Sequence, residues 1–217
     1  MSNQLLKMNK ISKTFPGAKA LKDVDFSMNC GEVHGLMGEN GAGKSTLVKI
    51  LTGIYYKDKT SGTILFDGKE INPLTSLQAQ EAGISTIYQE VNLIPYLSVS
   101  ENIFIGREPK KLGFINWKEI CSQAKKLMMD MGIDIDVKKP VNEYGMAIQQ
   151  MTAIARALSI NAKLIVMDEP TSSLDSGEVK VLFDVIRRLK EKQISVLFIS
   201  HRIDEVFEIT EKITILK

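Results

Sequence analysis

The chain has 217 residues, 44% of them hydrophobic and 25% charged, with a formal net charge of +2, enough for one sizeable core and too short for two full α/β domains. The polar start Met1-Ser2-Asn3-Gln4 is no secretion signal, and no apolar run approaches the roughly 18 residues of a membrane span, so the expected location is the cytoplasm. Charge this small, without a dense Lys/Arg block, argues against a nucleic-acid partner, and Cys30 and Cys121 form no metal-like cluster, which leaves two reduced thiols.

In chain order, the first informative element is the buried strand Val33-His34-Gly35-Leu36-Met37, which runs into Gly38-Glu39-Asn40-Gly41-Ala42-Gly43-Lys44-Ser45 and then a helix from Thr46 to Leu51, ending near Gly53. Strand, glycine loop and helix in this order form a phosphate-binding loop. Its backbone N–H groups turn inward around phosphates, Lys44 adds a full charge, and the Ser45 hydroxyl is placed for Mg²⁺. A strand Thr63 to Phe66 then meets the hairpin dipeptide Asp67-Gly68. Residues 1–91 therefore read as a strand-rich subdomain wrapped on the loop. Residues 92–159 turn helical: Ser98 with Glu101, and Asn116 with Glu119, are helix-start pairs, and Ile120, Ala124, Leu127, Met128 and Met131 recur at helical spacing until Gly132. This zone is expected to be an inserted helical subdomain, with Lys110-Lys111 in a solvated loop. Residues 160–217 return to α/β, with strands at Leu164 to Met167, Val196 to Ile199 and Ile213 to Leu216 and a helix from Glu178 to Lys190.

The strand Leu164-Ile165-Val166-Met167 ends in Asp168-Glu169, and α/β sheets place their ligands at strand C-termini. Asp168 suits a Mg²⁺ shell, directly or through water. Glu169 suits polarisation of a water for attack on a terminal phosphate, since phosphoryl transfer needs positioning and charge above all.

Together with Gln89 after Ile87-Tyr88, Ser173-Leu174-Asp175 and Ser200-His201, these motifs resemble the ATP-binding cassette of ABC transporters along essentially the whole chain. The resemblance implies an α/β phosphate-loop NTPase with an N-terminal antiparallel β subdomain and an inserted helical subdomain. ATP and Mg²⁺ would be its ligands. It further implies that Phe15 stacks on adenine, that residues Gly38 to Thr46 hold the phosphates, and that Ser45, Gln89 and Asp168 serve the metal. Gln89 would also touch the transporter interface, Asp175 would communicate across a dimer, and Glu169, His201 and Lys44 would carry catalysis. Core packing for Phe15, a polar strand end for Gln89 and a helix cap for Asp175 are the plain alternatives.

A closer match, carried by Met37 to Thr46, Gly53-Ile54-Tyr55, Gln89 to Leu93, Glu101 to Phe104 and Met167 to Leu174, is similar to the N-terminal cassette of bacterial monosaccharide importers; Asn92 to Arg107 is most similar to the ribose branch. Those ATPases carry two fused cassettes, and the present chain stops directly after an apolar strand, so a fragment of a longer polypeptide is expected. The resemblance implies as partners a second cassette, membrane permease subunits and, indirectly, a periplasmic-type sugar binder; a permease helix would dock near Gln89 and the helical zone from Leu93, where Ile94, Tyr96, Leu97 and Phe104 exceed what a small subdomain needs to bury, core packing being the plainer reading for any one of them. The location implied is the inner face of the cell membrane. Soluble ABC proteins without a permease, and a nucleotide-binding half inactive alone, remain alternatives.

One departure stands out. The Leu-Ser-Gly-Gly-Gln signature of the family is replaced by Tyr144-Gly145-Met146-Ala147-Ile148. The helix N-terminus remains, but the serine hydroxyl is lost, a contact worth on the order of 1.5–3 kcal/mol, so the site completed by this signature should be weak.

Overall fold

In the computed structural model, which describes residues 4–89 and 92–217, two sheets stack over the phosphate loop. The long strands β1 (Gln4–Phe15) and β2 (Ala18–Asn29), with β4 (Thr63–Phe66) and β5 (Lys69–Ile71), form an antiparallel sheet in the order β2-β1-β4-β5. The turn between β4 and β5 is the expected Asp67-Gly68, both at positive φ. The second sheet is parallel, in the order β11-β3-β10-β9-β6, and comprises β3 (Val33–Gly38), β6 (Ile84–Ile87), β9 (Leu164–Asp168), β10 (Ser195–Ile199) and β11 (Lys212–Leu216). Its central strands are buried on both faces, and their sequences are accordingly continuous apolar runs.

Helix α1 (Lys44–Leu51) leaves the phosphate loop, and α2 (Ser76–Ala82), capped by Thr75, leads into β6. α3 (Val99–Phe104) opens with a complete capping box between Ser98 and Glu101. α4 (Trp117–Asp130) is capped by Asn116, and α5 (Met146–Leu158) starts at Gly145 with no side-chain cap. α6 (Ser176–Glu191) opens with a second capping box, Asp175 with Glu178, and α7 (Ile203–Ile209) precedes β11. Among the described residues no helix is long and apolar enough to cross a membrane.

One reading is corrected. Lys110–Lys111 is not a loop but β7, paired antiparallel with β8 (Phe114–Ile115), although both lysines stay in solvent. Among the apolar residues at the start of the helical zone, Phe104 follows the core reading: it is 6% exposed where α3 packs on α4 and α5, so it offers nothing to a docking partner.

The hydrophobic residues divide by sheet face. One cluster joins β1, β2, β4 and α1 to Leu164, Val166, Leu197 and Ile199. The other joins α3, α4, α5 and α6 to Ile165, Met167, Val196 and Phe198. Alternate residues of β9 and β10 thus serve the two layers, and the helical zone shares its core with the parallel sheet through α5.

Candidate nucleotide site

Two close approaches shape the phosphate loop. Gly38 has φ 150°, and a Cβ there would lie 2.5 Å from the Leu216 carbonyl oxygen. Gly43 has φ 94°, and a Cβ would meet the Ala20 carbonyl oxygen at 2.6 Å. Neither position admits a side chain. Lys44 arches back over the loop, its Nζ donating to the carbonyl oxygens of Gly38 at 2.7 Å and Glu39 at 3.0 Å.

Asn40, Gly41, Gly43, Lys44, Ser45 and Thr46 line a cleft of about 300 Å³. The opposite wall comes from separate strand ends: Gln89 beyond β6, Asp168 and Glu169 at the end of β9, and His201 beyond β10. Gly38, Glu39 and Ala42 face an adjoining hollow of about 670 Å³ shared with Asn40, Gly41, Ser200 and His201. The parallel register puts Asp168 opposite Ile199, and the Glu169 N–H donates to the Ile199 carbonyl oxygen at 2.9 Å, which locks the ends of the two strands together.

Glu169 adopts φ 51°, a left-handed conformation unusual for a residue with a Cβ. This turn carries its carboxylate to His201, where Oε2 lies 2.7 Å from Nδ1; the imidazole is 73% exposed and the carboxylate side chain 22%. Asp168 sits deeper. Burial, and next the charge of Glu169, raise its pKa above the ordinary carboxylate range, against the pull of Lys44 and Lys49.

A further positioning residue, Glu205 in the first turn of α7, had no strong signal in the sequence. Its Oε2 accepts from the Thr171 hydroxyl at 2.5 Å and from the Ser200 hydroxyl at 3.5 Å, and its Oε1 accepts from Arg202 Nη1 at 2.9 Å. It thereby ties the loop after Glu169 to the loop that carries His201. The acid three residues after Arg202 was the only available clue.

Three sequence-derived features lie outside the cleft. Phe15, at the end of β1, packs edge-on against Tyr55 with ring centroids 5.3 Å apart, and Lys13 Nζ lies 5.2 Å from its ring centre. Asp175 caps α6, its carboxylate accepting from the N–H groups of Gly177 and Glu178, both at 2.8 Å. Tyr144 to Ile148 occupy the start of α5; the Tyr144 hydroxyl donates to the Asp136 carbonyl oxygen at 2.8 Å, and Gln149 Nε2 donates to the Tyr144 carbonyl oxygen at 2.9 Å. Of the docking residues, Ile94 and Tyr96 are exposed and Leu97 is half-buried.

The loop, the paired acids at a strand end and the doubly layered sheet define an α/β protein of the phosphate-loop class. Residues 21–172 match the family model described as ABC transporter, and the chain belongs to that family. It is 48% identical over 214 residues to the galactofuranose transporter ATP-binding protein YtfR of Escherichia coli K12, 99% of this chain and 42% of that protein. It is likewise 48% identical over 216 residues to the fructose import ATP-binding protein FruK of Bifidobacterium longum, again 99% and 42%. Against the ribose import ATP-binding protein RbsA 1 of Rubrobacter xylanophilus the identity is 48% over 213 residues, 98% and 42%. The chain thus spans about two fifths of the length of these relatives. Among solved structures it is similar to the ADP conformation of MJ1267, an ATP-binding cassette of an ABC transporter, with TM-score 0.86 and 29% identity, covering 98% of this chain and 87% of that one.

Proposed function

We propose that this chain is the nucleotide-binding and hydrolysing cassette of an importer for a monosaccharide, working on the cytoplasmic side at the inner face of the membrane. The observation that carries this reading is the meeting of Glu169 and His201 at 2.7 Å on the wall of the cleft that faces Lys44 and Ser45. Support for a sugar comes from the relatives, which are named for galactofuranose, fructose and ribose. The ATPase does not touch the sugar, so this chain leaves the choice among them to its partners.

In the proposed reaction Gly38 to Thr46 hold the phosphates of ATP, with Lys44 leaving its carbonyl contacts for the terminal phosphates. Glu169 accepts hydrogen bonding from the attacking water and orients it, while His201 senses the γ-phosphate and holds the carboxylate in place. Phe15 supplies an aromatic face for the adenine. The cleft's oxygen donors fit Mg²⁺: Ser45 offers a hydroxyl, Gln89 an amide oxygen and Asp168 a carboxylate, a small protein share of the kind this ion takes beside phosphate and water. When bound, the ion would offset charge developing on the phosphates.

Completion of the site falls to a second cassette, fused C-terminally in the full protein, with Asp175 signalling across the pair and the weak Tyr144 to Ile148 signature serving the opposite site. A solved relative, MJ0796, is dimeric in a post-hydrolysis state bound to ADP and Pi (TM-score 0.79, 27% identity, covering 98% of this chain and 94% of that one). Permease subunits would dock beside Gln89, at Ile94 and Tyr96, and a periplasmic sugar binder would act through them. The test is the Mg-ATPase rate per molecule against protein concentration, with Glu169→Gln as the control. A rate that climbs with concentration and is abolished in the variant supports hydrolysis by paired copies. ATP binding without turnover at any concentration assigns the chain to a half-site that needs its second cassette. Absence of ATP binding overturns the reading.

A further inference from the structure

Apart from Tyr96, the most exposed large apolar side chains of the helical zone lie in one small hairpin and at the residue that opens α4 just after it. β7 and β8 pair through Lys110 opposite Ile115 and Lys111 opposite Phe114, and Leu112-Gly113 form the turn. Leu112 is 92% exposed, Phe114 80% and Trp117, the first residue of α4, 52%. The turn itself is unusual: Leu112 has φ 52° and Gly113 φ 85°. A hairpin turn with two positive φ values ordinarily takes Asn or Asp at its first position, and a bulky γ-branched residue there is conformationally unfavourable. A leucine has been placed at the apex where local chemistry favours a polar residue, and no core benefits.

The surrounding charge narrows what could cover it. Lys110, Lys111 and Lys118 are all exposed around the apolar tip. The nearby carboxylates are partly engaged: Glu108 accepts from the Gly106 N–H at 2.9 Å and Glu119 from Gln123 Nε2 at 2.6 Å. Leucine, phenylalanine and tryptophan flanked by exposed lysines is the composition of segments that lie in the headgroup region of an anionic bilayer, where rings and aliphatic tips enter the acyl boundary and ammonium groups stay among phosphates.

We propose that the β7–β8 hairpin, with Trp117, is a peripheral anchor that inserts into the anionic lipid surface. It extends the proposed placement at the membrane but uses no residue of the nucleotide cleft, so lipid binding and turnover can fail independently. A protein surface rather than a lipid one would be expected to match the apolar tip with acidic groups for the three lysines.

Trp117 is the only tryptophan of the chain, so its fluorescence reports the hairpin directly. The 217-residue chain is titrated with equimolar phosphatidylglycerol/phosphatidylcholine vesicles and with pure phosphatidylcholine vesicles, following the emission maximum and co-sedimentation. The expected result is a blue shift and sedimentation with the anionic vesicles alone, reversed by salt. Lys110→Glu with Lys111→Glu should weaken binding on the order of 100-fold, and Leu112→Ser with Phe114→Ser should remove the blue shift. All four positions are exposed, and unchanged melting temperatures and ATPase rates verify that the fold and cleft are intact. No shift with anionic vesicles, equal binding to neutral ones, or full binding by either double variant overturns the proposal. A Trp117 shift on detergent-solubilised permease but not on vesicles also overturns it and assigns the hairpin to a protein partner.

Discussion

Nδ1 of His201 lies 2.7 Å from Oε2 of Glu169, although the two residues follow different strands of the parallel sheet. The contact exists because β9 and β10 are neighbours in register and because Glu169 turns through φ 51°. An imidazole so placed fixes the carboxylate's rotamer at little cost in fold stability, since the ring is mostly in solvent. His201→Ala is expected to lower turnover by about 10²-fold or more, while nucleotide affinity, carried by the loop, changes by no more than about threefold. Single-turnover kinetics with parallel binding titrations would separate the two; equal losses in both would place His201 in ground-state binding instead.

Glu205 makes a different prediction, because it touches neither loop glycine nor cleft. Removing its carboxylate leaves the buried hydroxyls of Thr171 and Ser200 without their acceptor, which costs about 1–3 kcal/mol. Glu205→Ala should therefore lower the melting temperature by several degrees and slow turnover on the order of 10-fold by loosening the Glu169–His201 pair. Glu205→Gln, which keeps an acceptor oxygen, should recover most of the stability. A variant that melts early yet turns over normally would show that the tie is structural only.

Asp168 sets stability against function. Its raised pKa means that burial and the Glu169 charge make ionised Asp168 costly in the folded protein, with Lys44 and Lys49 offsetting part of this. A raised folded pKa favours the fold at low pH and loses that contribution as pH rises through the folded value. Asp168→Asn should accordingly stabilise the ligand-free chain at pH 7 by about 0.5–1 kcal/mol, roughly 1–4 °C in melting temperature. The same change should weaken the Mg²⁺ dependence of nucleotide binding, measured by titrating Mg²⁺ at fixed ATP.

How much of this was legible beforehand depended on distance along the chain. The phosphate loop, the helix-start pairs Ser98-Glu101 and Asn116-Glu119, the Asp67-Gly68 turn and the acidic end of β9 are written within eight residues each, and each forms where the sequence places it. Glu205 was missed because its Thr171 partner lies 34 residues away. Whether Phe104 belongs to the core or to a docking face stays open in the sequence because helical spacing gives a face but not what covers it, and the packing of α3 on α5 decides it. Lys110–Lys111 was taken for loop because a two-residue strand has no periodicity to read. That α5 shares the core of the parallel sheet was likewise invisible, since its alanines look the same against a helix or a strand.

His34 lies wholly buried in β3, just before the phosphate loop, with Nδ1 2.5 Å from Glu32 Oε1 and Nε2 2.8 Å from the Thr214 hydroxyl of β11. Burial lowers its pKa below the ordinary 6.5, outweighing the attraction of Glu32, with Lys212 adding to the effect. The neutral ring then donates from Nδ1 and accepts from Thr214. Because the unfolded chain binds the proton more readily, this site's stability is full above about pH 6.5 and declines as pH falls through the folded value. Melting temperature should drop between pH 7 and 5, and His34→Gln should flatten that slope; Asp58, Asp67 and Glu108, held below the usual carboxylate range, act only at lower pH. An unchanged slope in the variant would remove His34 from the account.

Gly145 permits a test of the altered signature, because it sits at the N-cap of α5 with φ −62° and ψ 167°, a conformation serine adopts freely. As a cap, Gly145→Ser adds only a few tenths of a kcal/mol, so melting temperature should move by about 1 °C or less. As a phosphate contact in a closed pair of copies, the restored hydroxyl is worth on the order of 1.5–3 kcal/mol, or about 10- to 150-fold in the affinity of closure. The concentration at which ATPase activity half-saturates should therefore fall by a factor in that range while the fold is nearly unmoved. If half-saturation stays put, the start of α5 does not reach the nucleotide of the opposing copy, and the weakness of the pair must originate elsewhere than in the missing serine.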